Sequence, residues 1–378
     1  MQVDNRVSVQ SGGTVYHSVT RCLEDLGGLE KLVPPGKTVL VKPNLVVEQP
    51  HDFGATTNPE VVEVILQELL RTSPREIILG DGAATVCSTQ KAFQVTGMDK
   101  LAEKYGARLV DFQKDRYVKV PVPAGKALDE VQVVRTVREA DCIINLPVLK
   151  VHAQTKATVS LKNLKGCISD REKKRFHRLN LEQCIADLNT VIPVNLVVVD
   201  ATVCSFAWEG GGSPVAMDTI VAGTNPVAVD TVAVPLLGYA PREIEHVRLS
   251  ADHGLGPTGP EEIEIMHREK LPEPPPEEIP RTAPDYSLPG LEVVEKGACT
   301  SCLAGVLAAL RRLKKEGATL HGSALLGQKL TEEDLEGKKG ILLGIGECGA
   351  QLVVEEGALP GCPPRGRSVY EFLRRHTS

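Results

Sequence analysis

Short apolar segments alternate with amphipathic segments along most of the chain. Apolar runs typical of buried strands occur at residues 39–41, 76–79, 108–110, 142–145, 196–199 and 218–222. Helical patterns lie between them, and Asn58, Asn180 and Asn225 each stand where an N-cap is expected. This alternation predicts an α/β fold, in which a mostly parallel sheet carries helices on both faces.

The pattern changes between Pro257 and Pro289, where nine of the 26 prolines fall. The segment EPPPEEIP has no apolar period and is typical of a stiff, extended tether. Beyond it, the pattern predicts strands at 291–294 and 340–345 and helices at 303–313 and 368–375. A chain of 378 residues commonly forms two domains. We therefore predict an α/β domain at 1–256, a tether at 257–289 and a smaller α/β domain at 290–378.

Composition narrows the classes of function. The chain has 43 Lys and Arg against 49 Asp and Glu, and only 3% of its residues are aromatic, which argues against nucleic-acid binding. Its first residues, MQVDNRVSVQ, lack the basic and apolar regions of a signal peptide. No apolar run reaches the length of a membrane helix. We expect a cytoplasmic protein that binds neither nucleic acid nor a membrane.

Residues 141–166, DCIINLPVLKVHAQTKATVSLKNLKG, combine a buried strand with a dense group of lysines, one histidine and carboxamides. The ordinary interpretation is a solvated loop that leads into a basic helix. We favour an anion-binding loop, because Asn, His and Gly directly after a buried strand are not needed for solubility alone.

Polar side chains also follow the other predicted strands, and in a parallel sheet such strand ends share one edge. The residues concerned are Lys42, Asn44, Asp81, Asn145, Lys150, His152, Asp200 and Glu209. They predict a ligand crevice at that edge, although independent caps and turns are the alternative. GxxxxGK[ST] is absent from the glycine run after Glu209, and GxGxxG does not follow the first strand, so a nucleotide is unsupported.

Each residue type suggests a role in that crevice. The candidates for catalysis are His152, Lys150, Asp81, Asp200 and Glu209. The candidates for binding an anionic substrate are Lys42, Asn44, Asn145, Lys162, Asn163 and Lys165. Asp81 and Asp200 could also hold a divalent cation, and Glu209 is expected on a flexible glycine-rich loop. His177 is a weaker candidate, because the run REKKRFHR is typical of a solvated segment.

These motifs resemble a family of uncharacterised bacterial and archaeal proteins, called domain of unknown function 362. The likeness covers roughly residues 37–256 and rests on VKPN, GDG, NLPVLKVH, SLKNLKG, VVDA, EGGGSP and NPVAVD. It implies that the crevice residues, together with Asp230, belong to the family's characteristic set, but it supplies no reaction. Many members carry a ferredoxin-type module; here the compact run CxxCxxCxxxCP is missing.

Four of the ten cysteines lie beyond residue 298: Cys299, Cys302, Cys348 and Cys362. Each follows a predicted strand or stands in a Gly/Pro turn, which favours thiolate ligands of one metal site. Zinc sites usually repeat a close CxxC pair, whereas thirteen residues separate Cys348 from Cys362. The turn PGCPP also resembles the last-ligand turn of the proximal-cluster subunit of nickel–iron hydrogenases and respiratory complex I. A [4Fe–4S] cluster is therefore favoured over zinc and over unligated thiols.

The expected function is that of an iron–sulfur protein, either a redox enzyme or an electron-transfer protein, that acts on a small anionic substrate or a partner. Two alternatives stay open. One is a non-redox hydrolase or transferase with a divalent cation and a structural zinc, and the other is a factor that delivers a metal or cluster.

Overall fold

The computed structural model of the protein describes residues 4–267, 273 and 286–378. The chain forms two compact units, Met1–Arg281 and Thr282–Ser378. Both are α/β, as the sequence pattern predicts.

The first unit is built on one large mixed sheet. Its ten strands are β1 (Arg6–Ser11), β2 (Thr38–Pro43), β3 (Glu76–Asp81), β4 (Arg108–Asp111), β7 (Cys142–Leu146), β8 (Val148–His152), β9 (Lys156–Thr158), β10 (Leu196–Ser205), β11 (Pro214–Gly223) and β12 (Glu264–His267). The main order is β12-β1-β11-β10-β7-β2-β3-β4, and β8 pairs with β10 and β9. The run from β10 to β4 is parallel, whereas β11 is antiparallel to both of its neighbours. A separate hairpin pairs β5 (Tyr117–Pro121) with β6 (Glu130–Val134).

Alternation along the strands produces a hydrophobic core on each side of the sheet. In β2, Leu40 faces one core, whereas Val39 and Val41 face the other. The first core contains residues of α8 (Asp170–Arg178), α9 (Leu181–Asn189), α10 (Pro226–Ala233) and α11 (Glu245–Asp252). The second contains residues of α1 (Val15–Asp25), α3 (Pro59–Arg71), α4 (Thr89–Thr96) and α5 (Met98–Tyr105). The remaining helices of this unit are α2 (Leu29–Leu32), α6 (Arg135–Glu139) and α7 (Ser160–Asn163).

The predicted helix starts are confirmed. The side chains of Asn58, Asn180 and Asn225 each accept a hydrogen bond from a backbone N–H in the first turn of α3, α9 and α10. Because these caps satisfy donors that no carbonyl of the helix can reach, they fix where each helix begins.

Three predictions about irregular segments are wrong. Residues 148–158 form a hairpin, not a loop, because Leu149, Val151 and Ala157 are buried in the core. The charged run at 170–178 is helix α8, whose Phe176 is fully buried. The segment 257–289 is not a tether throughout, since β12 pairs in parallel with β1 and extends the sheet past residue 256. The other residues of the predicted tether lie partly outside the described ranges.

The second unit has a four-stranded parallel sheet. Its strands are β13 (Leu291–Glu295), β14 (Gly322–Leu326), β15 (Ile341–Ile345) and β16 (Ala358–Leu359), in that order. The helices are α12 (Thr300–Lys315), α13 (Gly346–Ala350) and α14 (Gly366–Arg374). The predicted strands and helices of this unit are all present, and the fully buried β14 is an addition.

Candidate functional site

Buried polar side chains gather where β2, β3 and β7 end and α7 begins. Lys42 and Asn145 are direct register partners on β2 and β7, so the parallel pairing of these strands brings the two side chains to one edge. We use the name lysine cluster for Lys42, Lys150, Lys162 and Lys165 with the polar residues that contact them. The lysines of this cluster other than Lys165 are almost fully buried.

Three carboxamides connect the strand ends to α7. Asn163 Oδ1 accepts from Asn44 Nδ2 at 2.8 Å and from Lys42 Nζ at 3.2 Å. Asn163 Nδ2 donates to Asn145 Oδ1 at 2.7 Å. Asn145 Nδ2 in turn donates to the Ser160 carbonyl at 3.0 Å. Because each amide is held at both ends, the network fixes α7 against the sheet edge.

Lys42 and Asp81 form an ion pair inside the protein. Lys42 Nζ lies 2.7 Å from Asp81 Oδ1, and the other carboxylate oxygen accepts the Leu45 N–H at 2.7 Å. Gly166 lies directly against this pair: a Cβ at that position would overlap Asp81 Oδ1 and stand 2.8 Å from Lys42 Nζ. Only glycine leaves room for the ion pair here.

Lys150 projects from β8 towards the same carboxamides. Its Nζ donates to Asn44 Oδ1 at 3.0 Å and to the Ala55 carbonyl at 2.5 Å. Burial, opposed by Glu209 and Asp81 and assisted by Lys42, lowers the pKa of Lys150 to about 7. The ammonium and the free amine of Lys150 therefore both exist near neutral pH.

His152, two residues further along β8, is a neutral imidazole. Its Nδ1 accepts the Gln154 and Thr155 N–H groups at 3.0 and 3.3 Å, so the ring proton sits on Nε2. Nε2 faces Glu209 Oε1 at 3.3 Å, and the other Glu209 oxygen accepts the Ala153 N–H at 3.1 Å. Burial first, and then Lys162 and Lys165, hold the pKa of His152 well below its usual range.

Glu209 is buried against β8, with 2% of its surface exposed. The sequence predicted that Glu209 lies on a flexible loop, because glycines follow it. The structure instead buries its side chain.

Lys162 and Lys165 approach the cluster from α7 and the turn after it. Lys162 Nζ donates to Thr158 Oγ1 at 3.2 Å. Burial, opposed by Glu209 and Glu182 and assisted by Lys150, lowers the pKa of Lys162 to about 7. Lys165 Nζ lies 3.1 Å from His177 Nε2, so α8 brings the histidine that was the weaker candidate into the cluster.

In the second unit, the four late cysteines converge. Cys299 caps α12 and Cys302 lies in its first turn, Cys348 lies in α13 after β15, and Cys362 stands in the turn before α14. The hydrogen bond with Cys299 raises the pKa of Cys302, and burial and the charges of Cys299, Cys362 and Cys348 raise it further. Burial raises the pKa of Cys348, as do the charges of Cys362 and Cys299. Four thiols therefore lie within electrostatic range of one another.

Gly346 borders this cysteine group. It has a positive φ of 79°, and a Cβ there would stand 3.2 Å from Cys302 Sγ and point into the space beside the sulfur. Within residues 4–267, 273 and 286–378, no three or more His, Cys, Asp or Glu side chains are arranged as ligands of a single metal ion.

Comparison with protein families identifies the first unit. The model described as Domain of unknown function (DUF362) matches residues 39–235, slightly more than half of the chain. The chain belongs to the DUF362 family. A thylakoid-associated protein of Synechocystis sp. is 28% identical over 259 residues, which cover 66% of this chain and 78% of that protein.

Two solved structures show weak similarity to this DUF362 chain. The lactate racemase apoprotein of Thermoanaerobacterium thermosaccharolyticum aligns with a TM-score of 0.36 and 14% identity, over 54% of this chain and 51% of its own. A protein of Thermotoga maritima aligns with a TM-score of 0.37 and 13% identity, over 63% and 58% of the two chains. The chain thus spans little more than half the length of either structure, and similarity at this level carries no functional information.

Asp200 lies apart from the lysine cluster of this DUF362 chain. Its oxygens accept from the Asn58 N–H at 2.7 Å and from the Thr202 N–H and hydroxyl at 3.0 and 2.7 Å. Asp81 lies on β3, three strands away from β10, which corresponds to about 14 Å. The two carboxylates therefore do not form the shared cation site that the sequence suggested.

Asp230, a member of the characteristic set, positions α7. Its carboxylate accepts the N–H groups of Ser160 and Leu161 and the Ser160 hydroxyl. Burial raises the pKa of Asp230 to about 6, although these hydrogen bonds oppose this shift. Asp230 thus acts on Lys162 and Asn163 through the helix that carries them.

Lys173 was missed by sequence reasoning. It lies on α8, where its Nζ donates to the Ala83 carbonyl at 2.7 Å and pairs with Asp170 at 3.1 Å. Nothing distinguishes it in sequence from its exposed neighbours except that Phe176, three residues on, shows which side of α8 is buried.

None of the described helices is long and apolar enough to cross a membrane.

Proposed function

We propose that this DUF362 protein is an iron–sulfur protein that acts on a small anionic substrate. In this proposal Cys299, Cys302, Cys348 and Cys362 bind one [4Fe–4S] cluster, and the lysine cluster binds the anion and transfers a proton. The observation that carries the proposal is that cysteines from three separate segments of the second unit lie close enough to raise the pKa values of Cys302 and Cys348.

The cysteine group fits an iron–sulfur cluster in its donor chemistry and its surroundings. All four donors are thiolate sulfurs, which is the ligand set of a cubane cluster. The cysteines are half-buried, and Gly346 brings no side chain against Cys302 Sγ, whereas a Cβ at that position would stand 3.2 Å from the sulfur. Like charges crowded together raise the thiol pKa values, and binding a positively charged cluster removes that repulsion. When bound, such a cluster accepts and releases one electron at a time.

The lysine cluster fits an anion because its cations outnumber its carboxylates. Lys42 pairs with Asp81, and the carboxylates of Glu209, Asp81 and Glu182 only partly oppose the lowering of the pKa values of Lys150 and Lys162. Burying this excess positive charge costs free energy that a bound anion would offset. A carboxylate- or phosphate-sized ligand would meet ammonium groups and carboxamides in one place.

Proton transfer is assigned to His152 and Glu209, with Lys150 as a second proton carrier. The Nε2–H of His152 points at Glu209, so a proton has a defined route between imidazole and carboxylate. Groups whose pKa lies near 7 are the most effective acids and bases at neutral pH, and Lys150 meets that condition.

The alternative function is hydrolysis or group transfer at the lysine cluster. In that case, the second unit holds a structural zinc. A divalent cation held jointly by Asp81 and Asp200 is not part of it, because three strands separate their positions. A metal- or cluster-delivery factor is the third possibility, and it would release its cluster to a recipient protein.

Anaerobically purified full-length protein tests the proposal. We expect about four irons and four sulfides per chain, broad absorption near about 400 nm and an electron paramagnetic resonance signal after reduction. We also expect oxalate to raise the unfolding temperature of the first unit more than chloride does at equal ionic strength. One zinc and no sulfide per chain would contradict the cluster assignment, and equal stabilisation by oxalate and chloride would contradict the anion site.

A further inference from the structure

Lys162 differs from the other lysines of the cluster in its hydrogen bonding. Lys42 Nζ has three acceptors: Asp81, the Pro43 carbonyl and Asn163. Lys150 has two, and Lys165 lies against His177. Among the residues that the structure describes, Lys162 Nζ bonds only to the hydroxyl of Thr158.

This sparse bonding favours the free amine. A buried ammonium has three N–H donors, and each one without an acceptor costs free energy. A neutral amine instead offers a lone pair, to which the Thr158 hydroxyl can donate. Lys162 is 8% exposed, so water does not supply the missing acceptors.

Burial and the charge of Lys150 also favour the free amine of Lys162. Burial is the largest cause of its lowered pKa, Lys150 adds to it, and Glu209 and Glu182 only partly oppose them. A desolvated lysine beside a second ammonium is the arrangement that makes a lysine nucleophilic near neutral pH.

We propose that Lys162 forms a covalent imine with a small carboxylate-bearing carbonyl compound, a 2-oxo acid, bound in the lysine cluster. The inference rests on the proposed anion site. The Nζ lone pair forms the C–N bond while the carbonyl π electrons move to oxygen. The nitrogen then loses its protons, the oxygen leaves as water and the C=N bond forms, so no oxidant or reductant is needed. Glu209 and His152 are the groups that carry the protons.

The carboxylate requirement follows from the neighbours of Lys162. Lys150 and Lys165, like Lys162, act electrostatically on His152, so their positive charges lie near the amine. A carboxylate bound there would meet those charges. A neutral carbonyl compound of the same size has no partner for them.

Reductive trapping tests this inference in the full-length protein. Pyruvate or acetone, a smaller ketone without a charge, is added at pH 7.5 with cyanoborohydride, and modified lysines are located by peptide mass spectrometry. Lys91 and Lys104 are internal controls, because they are 64% and 61% exposed and paired with glutamates that raise their pKa values.

We expect pyruvate to modify Lys162 at least tenfold faster than either control lysine. We also expect the pyruvate-to-acetone rate ratio to be at least tenfold higher at Lys162 than at Lys91. Oxalate, a dianion without a ketone or aldehyde carbonyl, should protect Lys162 and no other lysine.

Modification of Lys162 no faster than that of Lys91 and Lys104 would overturn the inference, and so would equal rate ratios at the three lysines. If oxalate stabilises the first unit while Lys162 stays unmodified, the result would contradict the imine and support the anion site. If oxalate does not stabilise the unit, the proposed anion site itself fails.

Discussion

The two units concentrate charge of opposite sign in different ways. In the lysine cluster, ammonium groups are almost fully buried at the edge of a large sheet, and Lys42 and Lys150 are held by carbonyl, carboxamide or carboxylate acceptors. In the second unit, four thiols are half-buried at the start of helices beside a small sheet. We expect the first arrangement to bind an anion and the second to bind a cation.

The two sites differ in how far the protein alone, without a bound ligand, fixes the geometry of their side chains. The lysine cluster is cross-linked by Asn44, Asn145 and Asn163, so its geometry is fixed by the protein. In the cysteine group, the hydrogen bond with Cys299 and then burial raise the pKa of Cys302, burial raises the pKa of Cys348, and the charges of neighbouring cysteines raise both further. We therefore expect the second unit to depend on its ligand for stability more than the first.

Replacement of Cys302 or Cys362 by Ser should have the largest effect. Each change removes one thiolate, and we expect the iron and sulfide content to fall from about four per chain to near zero. The unfolding temperature of the second unit should fall with it, while that of the first unit is unchanged. Cys87→Ser, at a half-buried cysteine of the first unit, is the control and should keep full iron. Full iron content in both single variants would contradict the cluster.

Shortening the chain tests where the first unit ends. A fragment of residues 1–281 retains β12 beside β1, whereas a fragment of residues 1–256 exposes that edge and loses the buried Ile263. We expect cooperative urea unfolding for the longer fragment and aggregation, or a loss of about 3 kcal/mol or more, for the shorter one. Equal stability of the two fragments would show that the first unit ends at residue 256, as the sequence predicts.

Gly166→Ala should damage the lysine cluster sterically. The new methyl group would overlap Asp81 Oδ1 and crowd Lys42 Nζ, and separating a buried ion pair costs about 3 kcal/mol. Urea unfolding of the first unit measures this loss. Gly305→Ala in helix α12 is the control, because its Cβ would meet neighbours only at 3.6 Å or more. A Gly166→Ala variant as stable as the wild type would show that the loop can move away.

Lys150→Met and His152→Asn separate binding from proton transfer. Loss of the Lys150 ammonium should weaken oxalate binding by about 1.5–3 kcal/mol, the range for a charged hydrogen bond. His152→Asn should leave that affinity nearly unchanged and slow a proton-coupled step by a factor on the order of a hundred. Calorimetry measures the first effect and hydrogen–deuterium exchange into the substrate the second. If both variants bind oxalate as the wild type does and are only less stable, the two residues are structural.

The pH dependence of stability tests the two buried lysines with lowered pKa values. The pKa values of Lys150 and Lys162 are about 7 in the folded protein and 10.5 when unfolded, so the unfolded chain binds more protons between these values. Stability of the first unit should rise with pH from about 7 to 10, by at most about 1.4 kcal/mol per pH unit for each lysine. Lys162→Met should remove about half of that slope. Asp230 acts at lower pH: its stabilising contribution is lost as pH rises from 3.8 to about 6.

The local sequence pattern was sufficient to predict strands, helix starts and many residues of the lysine cluster. Alternating apolar residues identified the strands from 39–41 to 196–199, and the caps at Asn58, Asn180 and Asn225 fixed three helix starts. The same reasoning collected Lys42, Asn145 and Asn163 in one site, because strand ends of a parallel sheet converge. These properties depend on neighbours within a few positions or on a general rule of sheet topology.

The sequence by itself determined the fold class, the family membership and the residue types at the sheet edge. Only the tertiary structure decided that Asp200 faces Asn58 instead of Asp81 and that Lys173 is buried. Those outcomes depend on contacts between residues up to 142 positions apart. A chain's local periodicity specifies which side of an element is buried, but the partner of a buried charge is chosen by the packing of distant segments.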